Sequence, residues 1–220
     1  MAFKSLGINE NIVNKLNKNG IKTPTPIQEE SIPHILLGKD LIGEAKTGTG
    51  KTLAFLIPIF QNLSPKSNAT QVLILSPTRE LAIQITEEAN KLNVNEEINI
   101  LAAYGGKDIG SQLKKLKNNI HMIIATPGRL LDHIERKSVD SSKLKTIVID
   151  EADQMLLMGF KNEIEKIMKV CSKNHQTLCF SATMDSQVKK LAYRYMKEPV
   201  FIDIQSPTIA VDKIKQEVVE

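Results

Sequence analysis

A glycine-rich segment that ends in lysine and threonine carries the strongest chemical signal in the sequence. Its residues fit the phosphate-binding pattern GxxxxGK followed by serine or threonine, with alanine replacing the first glycine. Glycines allow consecutive backbone N–H groups to turn toward an anion, and the N-terminus of a following helix adds its dipole. Lys51 would reach the β- and γ-phosphates of a nucleotide, and the Thr52 hydroxyl would join the shell of Mg²⁺. The segment predicts a nucleoside triphosphate site: Ala45-Lys46-Thr47-Gly48-Thr49-Gly50-Lys51-Thr52.

An acidic segment about a hundred positions later supplies the matching chemistry. The apolar run TIVI is followed directly by Asp150-Glu151-Ala152-Asp153. Residues just past the C-terminal end of a parallel strand line the crevice where ligands bind. Asp150 is then placed to hold Mg²⁺ through water, and Glu151 to orient the water that attacks the γ-phosphate. Alone, the segment would be an acidic turn, but together with the glycine-rich segment it predicts a nucleoside triphosphatase.

The elements that must position these segments alternate along the chain. Short apolar runs predict seven strands, most of them apolar on both faces, as in a parallel sheet covered by helices. The sequence therefore predicts an α/β fold with an open, mostly parallel sheet and helices on both faces. The expected strands are 40–44, 71–76, 98–103, 121–125, 145–150, 177–180 and 199–203, and the expected helices include 51–62, 79–92, 128–136, 162–171 and 186–195.

Two further regions flank this pattern. Residues 1–37 have a largely helical pattern broken at Pro24-Thr25-Pro26, and Pro26 can open a second helix that runs to about Leu37. Residues 205–220 begin like a linker and end without a helix cap, so we expect the chain to break off inside or just after a linker.

Composition narrows the class of protein. The 220 residues are 41% hydrophobic and 25% charged, which is typical of one globular domain. A net charge of +4 suits a polyanionic partner, but aromatic residues at 4% argue against a platform that stacks bases. Cys171 and Cys179 are too few for a disulfide framework and are interpreted as reduced, structural thiols. Without a signal peptide or a membrane-spanning apolar run, we expect a cytoplasmic location and no membrane partner.

The acidic segment spells DEAD, and its companions resemble the DEAD-box family of RNA-dependent ATPases and helicases. The segment 20–28, GIKTPTPIQ, resembles the family's Q motif. Phe3 lies seventeen residues before it, where the family has an isolated aromatic residue. The resemblance assigns Gln28 a hydrogen bond to the adenine edge, which implies ATP rather than GTP.

Two positions depart from the family pattern. Ile21 stands where an aromatic residue usually packs on the base, so we expect an aliphatic contact with weaker stacking. Lys46 replaces a frequent glutamine, at a position that need not touch phosphate.

Three segments at predicted strand ends resemble the family's RNA-binding motifs. They are Pro77-Thr78-Arg79, Gly105-Gly106 and Thr126-Pro127-Gly128-Arg129. Hydroxyls, small residues, helix N-termini and arginines at successive strand ends can grip consecutive phosphates without reading bases. Any single segment could equally be a helix cap, but three at one sheet edge favour backbone contacts with RNA.

A serine-threonine segment and an apolar stripe complete the motifs. Ser181-Ala182-Thr183 resembles the motif that couples hydrolysis to strand separation through hydrogen bonds to Asp153. From the residues alone it is a strand end that caps the next helix. The stripe Met155–Met158 is interpreted as core, and Gly159-Phe160 as structural.

The resemblance implies a RecA-like P-loop domain that uses ATP and Mg²⁺. It divides the chain into a Q-motif region packed on the core (1–37), an N-terminal RecA-like domain (38–204) and the start of an interdomain linker (205–220). Nothing in the sequence matches the family's second RecA-like domain, which supplies arginine fingers. We therefore expect a monomeric piece, nearly inactive alone, of an enzyme that couples ATP hydrolysis to local RNA unwinding or ribonucleoprotein remodelling. The alternatives are a stand-alone nucleotide-gated RNA-binding or partner-docking module and a DNA-directed motor.

Overall fold

The computed structural model describes residues 2–106, 108–116, 118–171 and 173–204. The predicted linker, 205–220, lies outside the described residues. The strands are β1 (Leu41–Glu44), β2 (Val72–Leu75), β3 (Ile100–Ala103), β4 (Met122–Ala125), β5 (Thr146–Asp150), β6 (Gln176–Ser181) and β7 (Val200–Asp203). The α-helices are α1 (Glu10–Lys18), α2 (Pro26–Leu36), α3 (Lys51–Asn62), α4 (Arg79–Leu92), α5 (Ile109–Leu116), α6 (Pro127–Glu135), α7 (Ala152–Leu157), α8 (Lys161–Val170) and α9 (Ser186–Tyr195), with 3-10 turns at Phe3–Leu6 and Val94–Glu96.

The seven strands form one sheet in the order β3-β4-β2-β5-β6-β1-β7, and every pairing within it is parallel. The predicted α/β fold is confirmed, and the sheet is wholly rather than mostly parallel across the described residues. Three of the named helices, α3, α4 and α9, have the predicted bounds.

Two hydrophobic clusters cover the two faces of the sheet. Alternate residues along the inner strands point to opposite clusters, so Leu41 belongs to one and Ile42 to the other. This explains why the strands are continuously apolar. Gly43 allows the Phe180 ring on β6 to lie close to the backbone of β1, because an added Cβ would be 2.6 Å from that ring.

The residues before β1 pack on one face of this sheet. Phe3, Leu16 and Ile27 are all buried in the same cluster as strand residues of β1 and β2. Pro26 is the first residue of α2, as the sequence predicts.

The interpretation of the stripe Met155–Met158 as core is wrong for half of it. Met155 is fully buried, but Leu157 is 80% exposed and Met158 is 51% exposed. Consecutive helical residues are about 100° apart, so the four side chains cannot all face one core. In the described residues no helix is long and apolar enough to cross a membrane. Cys171 and Cys179 are both buried free thiols, and burial raises the pKa of Cys179 to about 12.

Candidate functional site

The strand order places the segments predicted to bind nucleotide and those predicted to bind RNA at two neighbouring halves of one sheet edge. The adjacent strands β5, β6 and β1 end at the acidic segment, at Ser181 and at the glycine-rich loop. The adjacent strands β3, β4 and β2 end at the three segments assigned to RNA. Because β2 pairs with β5, the two halves meet at the centre of the sheet.

The glycine-rich loop turns into α3 through two left-handed glycines. Gly48 has φ +84° and Gly50 has φ +97°, a conformation that glycine adopts at little cost. A Cβ on Gly50 would lie 2.5 Å from Nε2 of Gln28. Lys46 and Thr47 are both exposed, and Thr49 Oγ1 donates to the Lys46 carbonyl at 2.7 Å.

Gln28 connects the N-terminal region to this loop. Its Nε2 donates to the Gly50 carbonyl at 3.0 Å, and its Oε1 accepts from the Thr25 N–H at 3.0 Å. The side chain is only 2% exposed. Ile21 is half-buried against the hydrophobic cluster that contains Leu16 and Ile27, whereas Phe3 is buried inside that cluster. The structure therefore joins Gln28 to the loop and places Phe3 in the core.

Lys51 is held beneath the loop by two oxygen atoms. Its Nζ donates to the Ala45 carbonyl at 2.7 Å and lies 3.2 Å from Oε1 of Glu151. Thr47 Oγ1 lies 3.4 Å from the same carboxylate oxygen. With the lysine 5% exposed, this cation has exchanged water for protein oxygens, which are the kind of ligands that phosphate oxygens can replace.

The two acidic residues occupy different environments. Asp150 is buried, and the loss of hydration, followed by the negative charge of Glu151, raises its pKa to about 7, while Lys51 acts in the opposite direction. Its Oδ1 has no hydrogen-bond partner among the described residues. Glu151 has a left-handed backbone, φ +54° and ψ +52°, at the turn from β5 into α7. Strain of this kind in a residue with a side chain is typical of functional turns.

These oxygen atoms fit Mg²⁺. The unpartnered carboxylate oxygen of Asp150 and the half-buried hydroxyl of Thr52 are hard ligands of the type the ion prefers. In the described ranges no group of three or more histidine, cysteine, aspartate or glutamate side chains could enclose a metal. Mg²⁺ does not need such a group, because it keeps several waters and is shared between a few carboxylates and substrate phosphates.

The ends of β5 and β6 are bridged through Asp153. Its Oδ2 accepts from the N–H and Oγ1 of Thr183, at 3.1 and 3.0 Å. Its own N–H donates to Ser181 Oγ at 3.2 Å. One bridge was not foreseen: Glu44 at the end of β1 accepts the Met184 N–H at 3.2 Å. The serine-threonine segment is thus tied to both neighbouring strands.

The segments assigned to RNA are partly exposed and partly structural. Thr78 caps α4 by accepting the Leu81 N–H at 3.2 Å. Arg79 is exposed, with its guanidinium 5.1 Å from the centre of the Tyr104 ring. Pro77 and Pro127 are buried, so they shape the backbone. The exposed or half-buried members are Thr78, Arg79, Gly105, Gly106, Thr126, Gly128 and Arg129.

A buried polar network behind these segments was missed from the sequence. His133 on α6 and Gln112 on α5 are 0% and 2% exposed, and they contact each other at 3.0 Å. One signal could have found the histidine. It follows Pro127 and Leu130 at three-residue spacing, and all three are buried on one face of α6.

Comparisons with known proteins agree with this geometry. A family model described as DEAD/DEAH box helicase matches residues 25–191. The ATP-dependent RNA helicase CshA of Listeria monocytogenes is 46% identical over 214 residues, covering 97% of this chain and 41% of that protein. The DEAD-box ATP-dependent RNA helicase CshA of Bacillus subtilis is 43% identical over 216 residues, covering 98% of this chain and 44% of that protein. A crystal structure of a DEAD box protein from the hyperthermophile Methanococcus jannaschii is similar with a TM-score of 0.90 at 40% identity, covering 93% of this chain and 56% of that chain.

The sheet and its strand-end loops define an α/β domain of the RecA-like P-loop class. Since the family model spans most of the sequence, the chain belongs to the DEAD/DEAH box helicase family. It spans less than half the length of these two curated relatives.

Proposed function

We propose that this chain is the ATP-binding and partial RNA-binding domain of an ATP-dependent RNA helicase. The observation that carries the proposal is the ion pair from Lys51 to Glu151 at 3.2 Å, which joins the segments that follow β1 and β5 at one sheet edge. The names of the relatives favour an RNA helicase over a stand-alone module or a DNA-directed motor.

In the proposed site, the loop binds the triphosphate. Backbone N–H groups of residues 46–52 and the start of α3 face the anion. Lys51 exchanges the Ala45 carbonyl and the Glu151 carboxylate for phosphate oxygens, which requires only a side-chain movement. Gln28 reads the adenine edge while contacting Gly50, so base and phosphate binding are joined through one hydrogen bond. Ile21 supplies the aliphatic contact, and Phe3 supports this region from the core.

Hydrolysis uses the acidic turn. Thr52 and Asp150 would hold Mg²⁺, largely through water, and the ion would supply positive charge beside the phosphates. Release of Lys51 toward phosphate frees Glu151 to orient the attacking water and accept its proton. The left-handed backbone of Glu151 aims the carboxylate into the loop, where it already meets Thr47.

The two halves of the sheet edge divide ATP binding from RNA binding. Exposed polar groups of the three strand-end segments grip the RNA backbone, in keeping with the scarcity of aromatic residues. The bridge from Asp153 to Thr183 transmits the state of the nucleotide site to the neighbouring loop.

A second RecA-like domain of the longer protein completes the catalytic site. Loss of an arginine finger costs about 10³–10⁵ in kcat in phosphoryl-transfer enzymes, so the 220 residues alone should turn over ATP very slowly.

The proposal is tested by ATPase assays on the longer protein with added RNA or DNA. We expect stimulation by RNA well above that by DNA, and loss of stimulated turnover in Glu151→Gln with nucleotide binding retained. Lys91→Ala, which removes an exposed lysine that pairs with its helix neighbour Glu88, is the surface control. Equal stimulation by DNA, or an unchanged rate in Glu151→Gln, would contradict the assignment.

A further inference from the structure

Two of the three segments assigned to RNA are linked from behind by buried polar contacts, and the third joins them through a cation–π contact. Gln112 Nε2 donates to the Tyr104 carbonyl at 3.2 Å, directly before Gly105. Gln112 Oε1 lies 3.0 Å from Nε2 of His133, which belongs to the helix that opens at Thr126. The Arg79 guanidinium in turn lies over the Tyr104 ring, 5.1 Å from its centre. We call Tyr104, Gln112, His133 and Ser138 the buried network.

Donor and acceptor roles in the buried network follow from one fixed group. The Tyr104 carbonyl can only accept, so the amide NH₂ of Gln112 must face it. The amide oxygen of Gln112 then faces His133, whose Nε2 must carry a proton and donate. His133 Nδ1 lies 3.1 Å from Ser138 Oγ, a hydroxyl that also lies 2.8 Å from the His133 carbonyl. With a neutral histidine, Nδ1 accepts the one Ser138 hydroxyl proton, and the His133 carbonyl accepts the Ser138 N–H at 3.0 Å instead.

A satisfied buried network of this kind rigidifies what it joins. Here it joins α6, α5 and the loop after β3, and Tyr104 at the start of that loop contacts the Arg79 guanidinium. Arg79 also lies near the loop itself, because a Cβ added to Gly106 would be 3.4 Å from Arg79 Nη1. Neither Gln112 nor His133 is exposed enough to touch RNA itself.

We infer that Gln112 and His133 are positioning residues that hold the three RNA-binding segments at a fixed spacing. The inference rests on the proposed function, because it assigns these segments to the RNA backbone. Because the segments are already held in place, RNA binding loses less conformational entropy in ordering them. Loss of the network should therefore weaken RNA binding and leave nucleotide binding unchanged.

The test measures binding of a labelled oligouridine and of a fluorescent adenine nucleotide to the same 220-residue chain. His133→Leu removes the donor to Gln112, and Gln112→Glu sets a carboxylate oxygen against the Tyr104 carbonyl. Each should weaken RNA binding about tenfold, the effect of one lost buried hydrogen bond, with nucleotide affinity unchanged. His133→Gln keeps a donor near the Nε2 position and should restore most of the affinity. Gln84→Glu makes the same chemical change on an exposed face of α4 and is the control.

A role limited to fold stability would lower the melting temperature yet leave the RNA affinity of the folded chain unchanged, and that result would overturn the inference. A double variant, His133→Leu with Arg79→Ala, tests the linkage between the two residues. Arg79→Ala should reduce RNA affinity less in the His133→Leu background than in the unaltered chain. Additive losses would contradict the linkage. Without any substitution, ¹⁵N NMR should show the Nε2–H tautomer of His133, and the Nδ1–H tautomer would contradict the network.

The outcomes also separate the inference from the proposed function. RNA binding that is equally tight in all variants would overturn the inference alone. No RNA binding by the unaltered chain would overturn the assignment of the three segments and the inference with it.

Discussion

Lys51 Nζ and Glu151 Oε1 lie 3.2 Å apart, although the two residues are a hundred positions apart in the sequence. The contact joins the loop after β1 to the turn after β5, two strands that have β6 between them. The carboxylate that should orient water therefore also restrains the lysine that should bind phosphate. Substitution of either residue therefore removes a restraint on the side chain of the other.

Glu151→Gln should bind adenine nucleotide at least as tightly as the unaltered chain, because the neutral amide competes less with phosphate for Lys51. The corresponding Lys51→Ala should lose nucleotide binding. Titration with a fluorescent nucleotide analogue measures both. Weaker binding by Glu151→Gln would show that the carboxylate holds the nucleotide rather than restraining the lysine.

Gly50→Ala should destabilise the chain and impair nucleotide binding for two reasons that a control separates. Its φ of +97° is strained for alanine, and the new Cβ would lie 2.5 Å from Gln28 Nε2. Gly38→Ala is the control for backbone strain without a new contact, because Gly38 has φ +74° and nothing lies within 4 Å of an added Cβ. We expect about 1 kcal/mol of destabilisation for Gly38→Ala and clearly more for Gly50→Ala, measured by urea unfolding. Equal losses would show that contact with Gln28 does not constrain position 50.

Thr183→Val should remove one hydrogen bond to Asp153 while the backbone bond from residue 183 remains. We expect a loss of about 1 kcal/mol in the free energy of unfolding and unchanged nucleotide affinity. RNA unwinding by the longer protein should fall more than its ATPase rate. Thr183→Ser keeps the hydroxyl and serves as the control, so equal defects in both variants would contradict a role for this bond.

His133 should make the chain less stable in mild acid. Burial, followed by the positive charge of Arg129, lowers the pKa of His133, whereas Asp132 raises it and Arg136 lowers it further. A histidine whose pKa is lower in the folded state contributes stability above its unfolded pKa of about 6.5, and the contribution is lost as the pH falls toward its folded pKa. Urea unfolding at a series of pH values below 7 should show this loss, and His133→Gln should reduce it. An identical pH dependence in the variant would contradict the prediction.

The sequence predicts the elements and the motif positions well because their signals are local. Continuous apolar runs identify the parallel strands, and Pro26 and Thr78 mark helix starts through local backbone chemistry. Strand order is not local. That β6 lies between β1 and β5 depends on which faces pack together, and it decides that Ser181 lies beside both Ala45 and Asp153.

The missed features come from packing. The exposure of Leu157 depends on which side of α7 faces the core, and a helix of only six residues is too short for its sequence pattern to show this. The contact between Gln112 and His133 joins two helices across 21 positions, and no local pattern in either helix indicates its partner in the other. The unusual pKa of Asp150 likewise arises from burial that only the completed sheet provides.

Nucleotide binding by this domain is tested most directly by calorimetric titration of the 220-residue chain with ATP and Mg²⁺. We expect saturable binding at one site, weaker for GTP, abolished in Lys51→Ala and retained in the surface control Lys91→Ala. Binding that survives in Lys51→Ala, or that does not distinguish ATP from GTP, would contradict the proposed nucleotide site.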